Sequence, residues 1–239
     1  MKQYIEINYQ NKLLRGYHHQ TNSDTVVVML HGYTGNKTES KLQFKKLSAA
    51  FELLKIDSLR VDYLGHGESD GEFSDMRFDD LLAQANTIIK KAQNLGYKHI
   101  NLLGFSMGGL IALHHLKSPI EKAILISPAV DFKKNIGRVF KSLSPLENGN
   151  VDIGGLELHK EFLTSLNLVN TTKYAKSFTQ PVCFIVGEDD QSVNANSVKV
   201  VANEFSNAEC HVFAKCDHLY SRLSLQDKLI STIIEFIKK

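Results

Sequence analysis

Gly104-Phe105-Ser106-Met107-Gly108 constrains the fold of this chain more than any other stretch. The residues before it, His99 to Leu103, are short and mostly apolar, which predicts a strand. Those after it, Gly109 to Leu116, predict a buried helix. A strand that turns straight into a helix with serine at the apex forces strained backbone angles on that serine. Its neighbours two positions either side must then be small, and Gly104 and Gly108 meet the need. Such a turn belongs at the C-terminal edge of a parallel sheet, with the serine oxygen held clear of the backbone.

The rest of the chain carries the matching rhythm. Tyr4–Tyr9 and Lys12–His18 predict a hairpin turning at Gln10-Asn11, and Thr25–Leu30 reads as a fully buried strand. A helix from about Glu39 to Phe51 and a strand at Ser58–Tyr63 follow. From Phe78 to Leu95 apolar residues recur at helical spacing, with Ser74 or Asp75 as candidate cap and Gly96 as the stop. Strands at Ala123–Ile126, Pro181–Val186 and Glu209–Phe213 and helices at Val193–Phe205 and Leu223–Ile237 complete the series. Strands alternating with helices predict an α/β fold with a doubly wound, mostly parallel sheet, the whole of 1–239 forming a single domain. The rhythm breaks over about 131–179, where only a helical segment around Leu156–Leu166 stands out between turn-like stretches. A compact domain seldom leaves so long a segment irregular unless it covers a site, so an inserted cap is expected there.

Bulk properties exclude several classes. Formal net charge is +2 with both signs scattered along the chain, which offers no field for nucleic acid or a charged membrane. The longest apolar run, Val26–Leu30, is far short of the ~20 residues that span a bilayer. Three cysteines, an odd number with no CxxC pair, and a first decade without an apolar core point to a reducing, cytoplasmic location. Cys210, His211, Cys216, Asp217 and His218 lie close together, but adjacent strand residues face opposite ways, so no metal and no other cofactor is expected. The oligomeric state is left open, a dimer included.

A serine hydroxyl needs a base within hydrogen-bond reach, and the base needs a third group to orient it. On a sheet of this kind a carboxylate and a histidine should follow later in the chain, in that order. Glu188-Asp189-Asp190 stands just after a strand, with Asp189 and Asp190 the two candidates. Among ten histidines, His218 alone sits in the loop after the last strand; His66 and His159 fall in loop or cap positions. Donors to an oxyanion are expected from the backbone N–H of Met107 and, in the loop His31-Gly32-Tyr33-Thr34-Gly35, from that of Tyr33. In the cap, Phe140, Leu143, Leu158, Phe162 and Leu166 either line an acyl pocket or pack the cap on the body.

With these residues in place the chain resembles the α/β-hydrolase superfamily. His31–Gly35 is similar to its oxyanion loop, Asp62-Tyr63-Leu64-Gly65-His66-Gly67-Glu68-Ser69 to its D-x-x-G-x-G-x-S turn, and Gly104–Gly108 to its nucleophile elbow. The family's acid stands in G-x-x-D-x-x-V, which Gly187, Asp190 and Val193 match and Asp189 does not; the resemblance therefore selects Asp190 beside Ser106 and His218. Within the superfamily the chain looks most like small bacterial carboxylesterases of the feruloyl/cinnamoyl type, with monoacylglycerol lipase-like enzymes next. Gly154-Gly155-Leu156-Glu157-Leu158 resembles a cap segment of the former, yet lacks the aromatic residue found there. The resemblance implies a serine hydrolase acting on a small-molecule ester, with short or medium acyl or hydroxycinnamoyl groups. The alternatives are a monoacylglycerol lipase or thioesterase, or a non-catalytic ligand-binding protein on the same fold.

Overall fold

Alternation along Thr25–Leu30 (β3) sends Val26, Val28 and Leu30 to one face of a sheet and Val27 and Met29 to the other, and all five are fully buried. A strand buried on both faces needs helices on both sides. The computed structural model describes residues 1–141 and 145–239, and of 137–141 the backbone alone. The other strands are β1 (Lys2–Tyr9), β2 (Lys12–His19), β4 (Asp57–Val61), β5 (His99–Phe105), β6 (Ile120–Ile126), β7 (Val151–Asp152), β8 (Glu157–Leu158), β9 (Val182–Gly187) and β10 (Ala208–Phe213). Eight of them form one sheet in the order β1-β2-β4-β3-β5-β6-β9-β10. The β1–β2 and β2–β4 pairs are antiparallel and the rest parallel, as expected for a doubly wound, mostly parallel sheet.

Helices α1 (Gln43–Leu53) and α7 (Leu223–Lys238) cover the Val27 and Met29 face through Phe44, Leu47, Phe51, Leu229 and Ile233. On the opposite face lie α2 (Phe78–Asn94), α3 (Met107–Leu113) and α6 (Ala195–Ala202). Each buried Leu or Phe contributes ~1.5–3 kcal/mol over its exposed state, so the two layers are held chiefly by these contacts. Helix α2 buries Phe78, Leu81, Ala85, Ile88 and Ala92 along one stripe, with Asp79 and Asp80 in its positive first turn. After β3 the chain turns outward to β4, then crosses back to place β5 on the other side of β3. That reversal of strand order opens a crevice beyond the C-terminal ends of β3 and β5.

Local departures from the expected elements have identifiable causes. The first helix starts at Gln43 rather than near Glu39, because Glu39, Lys41 and Leu42 hold positive φ angles in a short turn. Ser74 and Asp75 belong to a 3₁₀ turn, Phe73–Asp75, and Arg77 occupies the N-cap position of α2 without a side-chain cap bond. Between β6 and β9 the chain forms α4 (Phe132–Lys141), a small antiparallel β7–β8 hairpin and α5 (Phe162–Ser165). The helix expected over Leu156–Leu166 is thus mostly a strand and a single turn, since Gly154 and Gly155, both at positive φ, reverse the chain into β8. Among the described residues no helix is long and apolar enough to cross a membrane.

Candidate active site

Ser106 sits at φ 52° and ψ −116°, between the end of β5 and the start of α3. The sharpness of this turn explains its glycines. A Cβ on Gly104 would fall 2.3 Å from the Gly108 carbonyl oxygen, and one on Gly108 would fall 2.0 Å from that of Leu30. Neither backbone atom can yield, so only glycine fits either position. The Ser106 amide donates to the Ile126 carbonyl at 2.9 Å, and its own carbonyl accepts from Leu110 and Ala129. Strain at this residue is thereby held by β6, the loop after it and α3.

The histidine and the carboxylate arrive from the far side of the sheet. Asp190 follows β9 and His218 follows β10, parallel neighbours whose trailing loops are laced together. The Glu188 amide donates to Phe213 at 2.8 Å and the Asp189 amide to Cys216 at 3.0 Å. His218 Nε2 lies 3.1 Å from Ser106 Oγ, and its Nδ1 lies 2.7 Å from Asp190 Oδ2. The other Asp190 oxygen accepts the Ser192 and Val193 amides at 2.9 and 2.8 Å, which fixes the carboxylate. Its side chain is fully buried, whereas Glu188 and Asp189 are exposed. The structure thus brings Ser106, Asp190 and His218 together and leaves Asp189 outside. A hydroxyl bonded to imidazole, itself bonded to a buried carboxylate, can pass its proton to the ring as it attacks carbon.

Opposite Ser106, the loop after β3 is held by buried groups. The Tyr63 amide can only donate, so His31 Nε2 accepts it at 3.0 Å and Nδ1 carries the proton toward Gly32 O, also at 3.0 Å. Burial, aided by the His66 charge, pushes His31 well below the usual imidazole range and keeps this neutral form. The Gly35 amide donates to Gly32 O as well. Gly32 O and the Tyr33 N–H lie in one planar peptide and point opposite ways, so these bonds restrain the direction of that N–H from the carbonyl side. Met107 opens α3, where a first-turn N–H has no intrahelical partner.

The contacts of two carboxylates in this region are not legible in the sequence, although Asp62 opens the turn already singled out. Glu39 is buried, and its Oε1 accepts the Gly32 amide at 2.5 Å while Oε2 accepts that of Ser40 at 3.1 Å. Burial raises its carboxyl above the usual range and the two amides oppose that rise. Only its place eight residues past His31, before a helix, was visible. The second is Asp62, whose carboxylate accepts the Lys37 and Glu68 amides and the Lys37 ammonium, tying the Asp62–Ser69 turn to the loop.

A cavity of about 560 Å³ opens over Ser106 and His218. Its walls include Phe132, Asn135 and Ile136 from α4 and Val193 from the Asp190 loop. Of the two roles open to Leu158, Phe162 and Leu166, the structure favours packing over lining: all three are fully buried in the main core, and none is among the residues that wall the cavity. Phe162 stacks behind the wall instead, its ring 6.1 Å from Phe132 and 6.2 Å from Tyr33. Leu143 and the side chain of Phe140 lie outside the described residues. His66 packs under the loop against His31, and His159 is near Arg77 on the surface; neither lines the cavity. The donor cluster weighed in the sequence also rearranges. His211 meets Glu209 and Cys183 with all three donor atoms within 4.8 Å of one another, and the Lys239 ammonium salt-bridges Glu209.

Comparison with known proteins follows this geometry. In the solved structures, ferulic acid-bound Est1E from Butyrivibrio proteoclasticus superposes with a TM-score of 0.85 at 21% identity, over 98% of this chain and 100% of that one. The Pyrococcus furiosus esterase Pf2001 gives 0.77 at 21% identity over 100% and 92%. Mouse alpha/beta hydrolase domain-containing protein 10 gives 0.79 at 18% over 99% and 98%. These likenesses identify the α/β-hydrolase fold. A Bacillus subtilis protein, provisionally described as 2-succinyl-6-hydroxy-2,4-cyclohexadiene-1-carboxylate synthase, is 33% identical over 91 residues, 38% of this chain and only 31% of its own length. Residues 21–150, more than half of the 239, match the model of the Hydrolase_4 family, serine aminopeptidase S33. With that match over a sheet and elbow of this form, the chain belongs to the Hydrolase_4 (serine aminopeptidase, S33) family and has the α/β-hydrolase fold.

Proposed function

We propose that this protein is a serine carboxylesterase working through a covalent acyl-enzyme. The observation that carries the reading is the relay from Ser106 Oγ to His218 Nε2 at 3.1 Å and from His218 Nδ1 to Asp190 at 2.7 Å. His218 takes the hydroxyl proton as Ser106 attacks the ester carbonyl, and the Tyr33 and Met107 N–H groups receive the oxyanion. The tetrahedral adduct collapses, the C–O bond to the alcohol breaks, and His218 gives its proton to the departing oxygen. Water then repeats the sequence on the acyl-enzyme, releasing the acid and restoring Ser106. Asp190 keeps the imidazole in the required tautomer and balances the imidazolium charge.

The substrate is a small ester with a short or medium acyl or hydroxycinnamoyl group. A 560 Å³ cavity is in the size range of small-ligand sites, and Phe132, Ile136 and Phe105 give it apolar walls. The likeness to ferulic acid-bound Est1E supports the aromatic end of this range. Residues 131–179 act as a cap on the domain, with α4 as the part of it that meets substrate. The test is hydrolysis of p-nitrophenyl acyl esters of rising length, methyl ferulate, monoacylglycerols and an acyl-CoA by wild type and Ser106→Ala. A drop of ~10⁴–10⁶ in kcat on the best ester is expected; a loss under tenfold rejects the mechanism. Best turnover on monoacylglycerol or acyl-CoA would reject the acyl or hydroxycinnamoyl ester assignment.

A further inference from the structure

Glu39 holds a costly backbone position. Its backbone lies at φ 59° and ψ 164°, in a region left almost wholly to glycine, and Lys41 and Leu42 after it are also at positive φ. Its side chain leaves solvent and reaches back beneath the loop that follows β3, with the residue only 8% exposed. The contacts explain where it goes. The carboxylate accepts the Gly32 amide at 2.5 Å. A Cβ on Gly35 would fall 2.6 Å from Oε1, so the loop closes on the carboxylate with no room to spare. Gly32 is in turn pressed between Glu39 and the elbow, since a Cβ there would lie 3.4 Å from Glu39 Oε1 and 3.3 Å from Ser106 Cβ. The order of packing is therefore carboxylate, Gly32, Ser106.

We propose that Glu39 is a positioning residue for the oxyanion hole: it clamps the Gly32 amide so that the next N–H, that of Tyr33, stays aimed at the site above Ser106. The inference rests on the Ser106 esterase reading given above. His31 and the Gly35 amide hold the carbonyl of Gly32, but they leave the amide side of that residue free to rotate. Glu39 supplies the missing restraint. Each of its oxygens faces an N–H donor, so the ionised carboxylate is the form the loop is built around. A preorganised donor needs no reorientation as charge develops on the substrate oxygen, and a loose one does.

The experiment compares Glu39→Gln, nearly the same shape, and Glu39→Ala with wild type and Ser106→Ala. Steady-state kinetics on the best ester are measured together with affinity for a trifluoromethyl ketone, whose serine adduct places an anionic oxygen in the hole. The expected result is a kcat loss of about tenfold for Glu39→Gln and about a hundredfold for Glu39→Ala, inside the ~10²–10³ that an oxyanion donor is worth, with KM little changed. Ketone affinity should fall in parallel with kcat/KM, at a temperature where thermal melts show each variant fully folded. If Ser106→Ala keeps activity, the esterase reading fails whatever Glu39 does. If Ser106→Ala is inactive but both Glu39 variants keep wild-type kcat and ketone affinity, the inference about Glu39 fails alone. A loss carried by KM, with ketone affinity unchanged, would also overturn it.

Discussion

Removing the Asp62 carboxylate tests how the Asp62–Ser69 turn is tied to the rest of the site. Asp62 has no exposed side-chain surface, and its oxygens accept the Lys37 amide at 2.5 Å, the Glu68 amide at 2.9 Å and the Lys37 ammonium at 2.5 Å. Asp62→Ala would orphan two backbone N–H groups, at ~1–3 kcal/mol for that of buried Lys37 and less for that of exposed Glu68, and leave the ammonium with Glu68 alone. Losing one partner of a buried pair costs ~3–5 kcal/mol in other proteins, so the two routes to the figure agree. For a chain of this size that is a fall in Tm of about 6–20 °C. Asp62→Asn keeps an acceptor for one amide and loses the charge, so it should cost about half as much. Urea and thermal unfolding followed by circular dichroism would measure both. An Asp62→Ala penalty below about 1 kcal/mol, or Asn costing as much as Ala, would refute the reasoning. Because Lys37 leads into Glu39, activity should also fall in the folded fraction.

Two further outcomes follow from buried polar groups. Asp190→Asn should cost ~10⁴ in kcat by spoiling the histidine tautomer, while exposed Asp189→Asn should stay within a few-fold; the reverse ranking would mean the wrong carboxylate orients His218. Burial, with the His115 and Lys173 charges, lowers His114 to about 4 while its Nε2 accepts the Asn170 amide. A folded pKa below the unfolded one means that its contribution is complete above about pH 6.5 and lost as pH falls toward 4. His114→Gln should therefore flatten the loss of stability over that window, and identical urea midpoints against pH in both proteins would contradict this.

Much of the molecule can be read without coordinates, because short-range periodicity and glycine sterics act locally. The buried alternation of Thr25–Leu30, the stripe of α2 and the turn at Ser106 each depend on residues within a few positions of one another. Chain order on such a sheet also points to His218 and to an acid after β9. Choosing Asp190 over Asp189 is another matter: the adjacent residues differ in which one the β9 and β10 loops bury, and that is decided by lacing to Phe213 and Cys216. Glu39 is likewise invisible as a run of letters, since the chain returns to its partner Gly32 through positive φ angles at Thr34 and Glu39 that no propensity favours. The segment after β6 was the least legible. Its apolar residues satisfy a helical spacing, but Leu158, Phe162 and Leu166 are placed by the core they fill, and the cavity wall falls to α4 instead. Sequence alone determined the alternation of strands and helices outside that segment and the glycine-flanked turn at Ser106, since each follows from neighbouring residues. Tertiary structure decided which carboxylate turns inward, what steadies the loop after β3 and which side chains meet the cavity, because those depend on burial against groups distant in the chain.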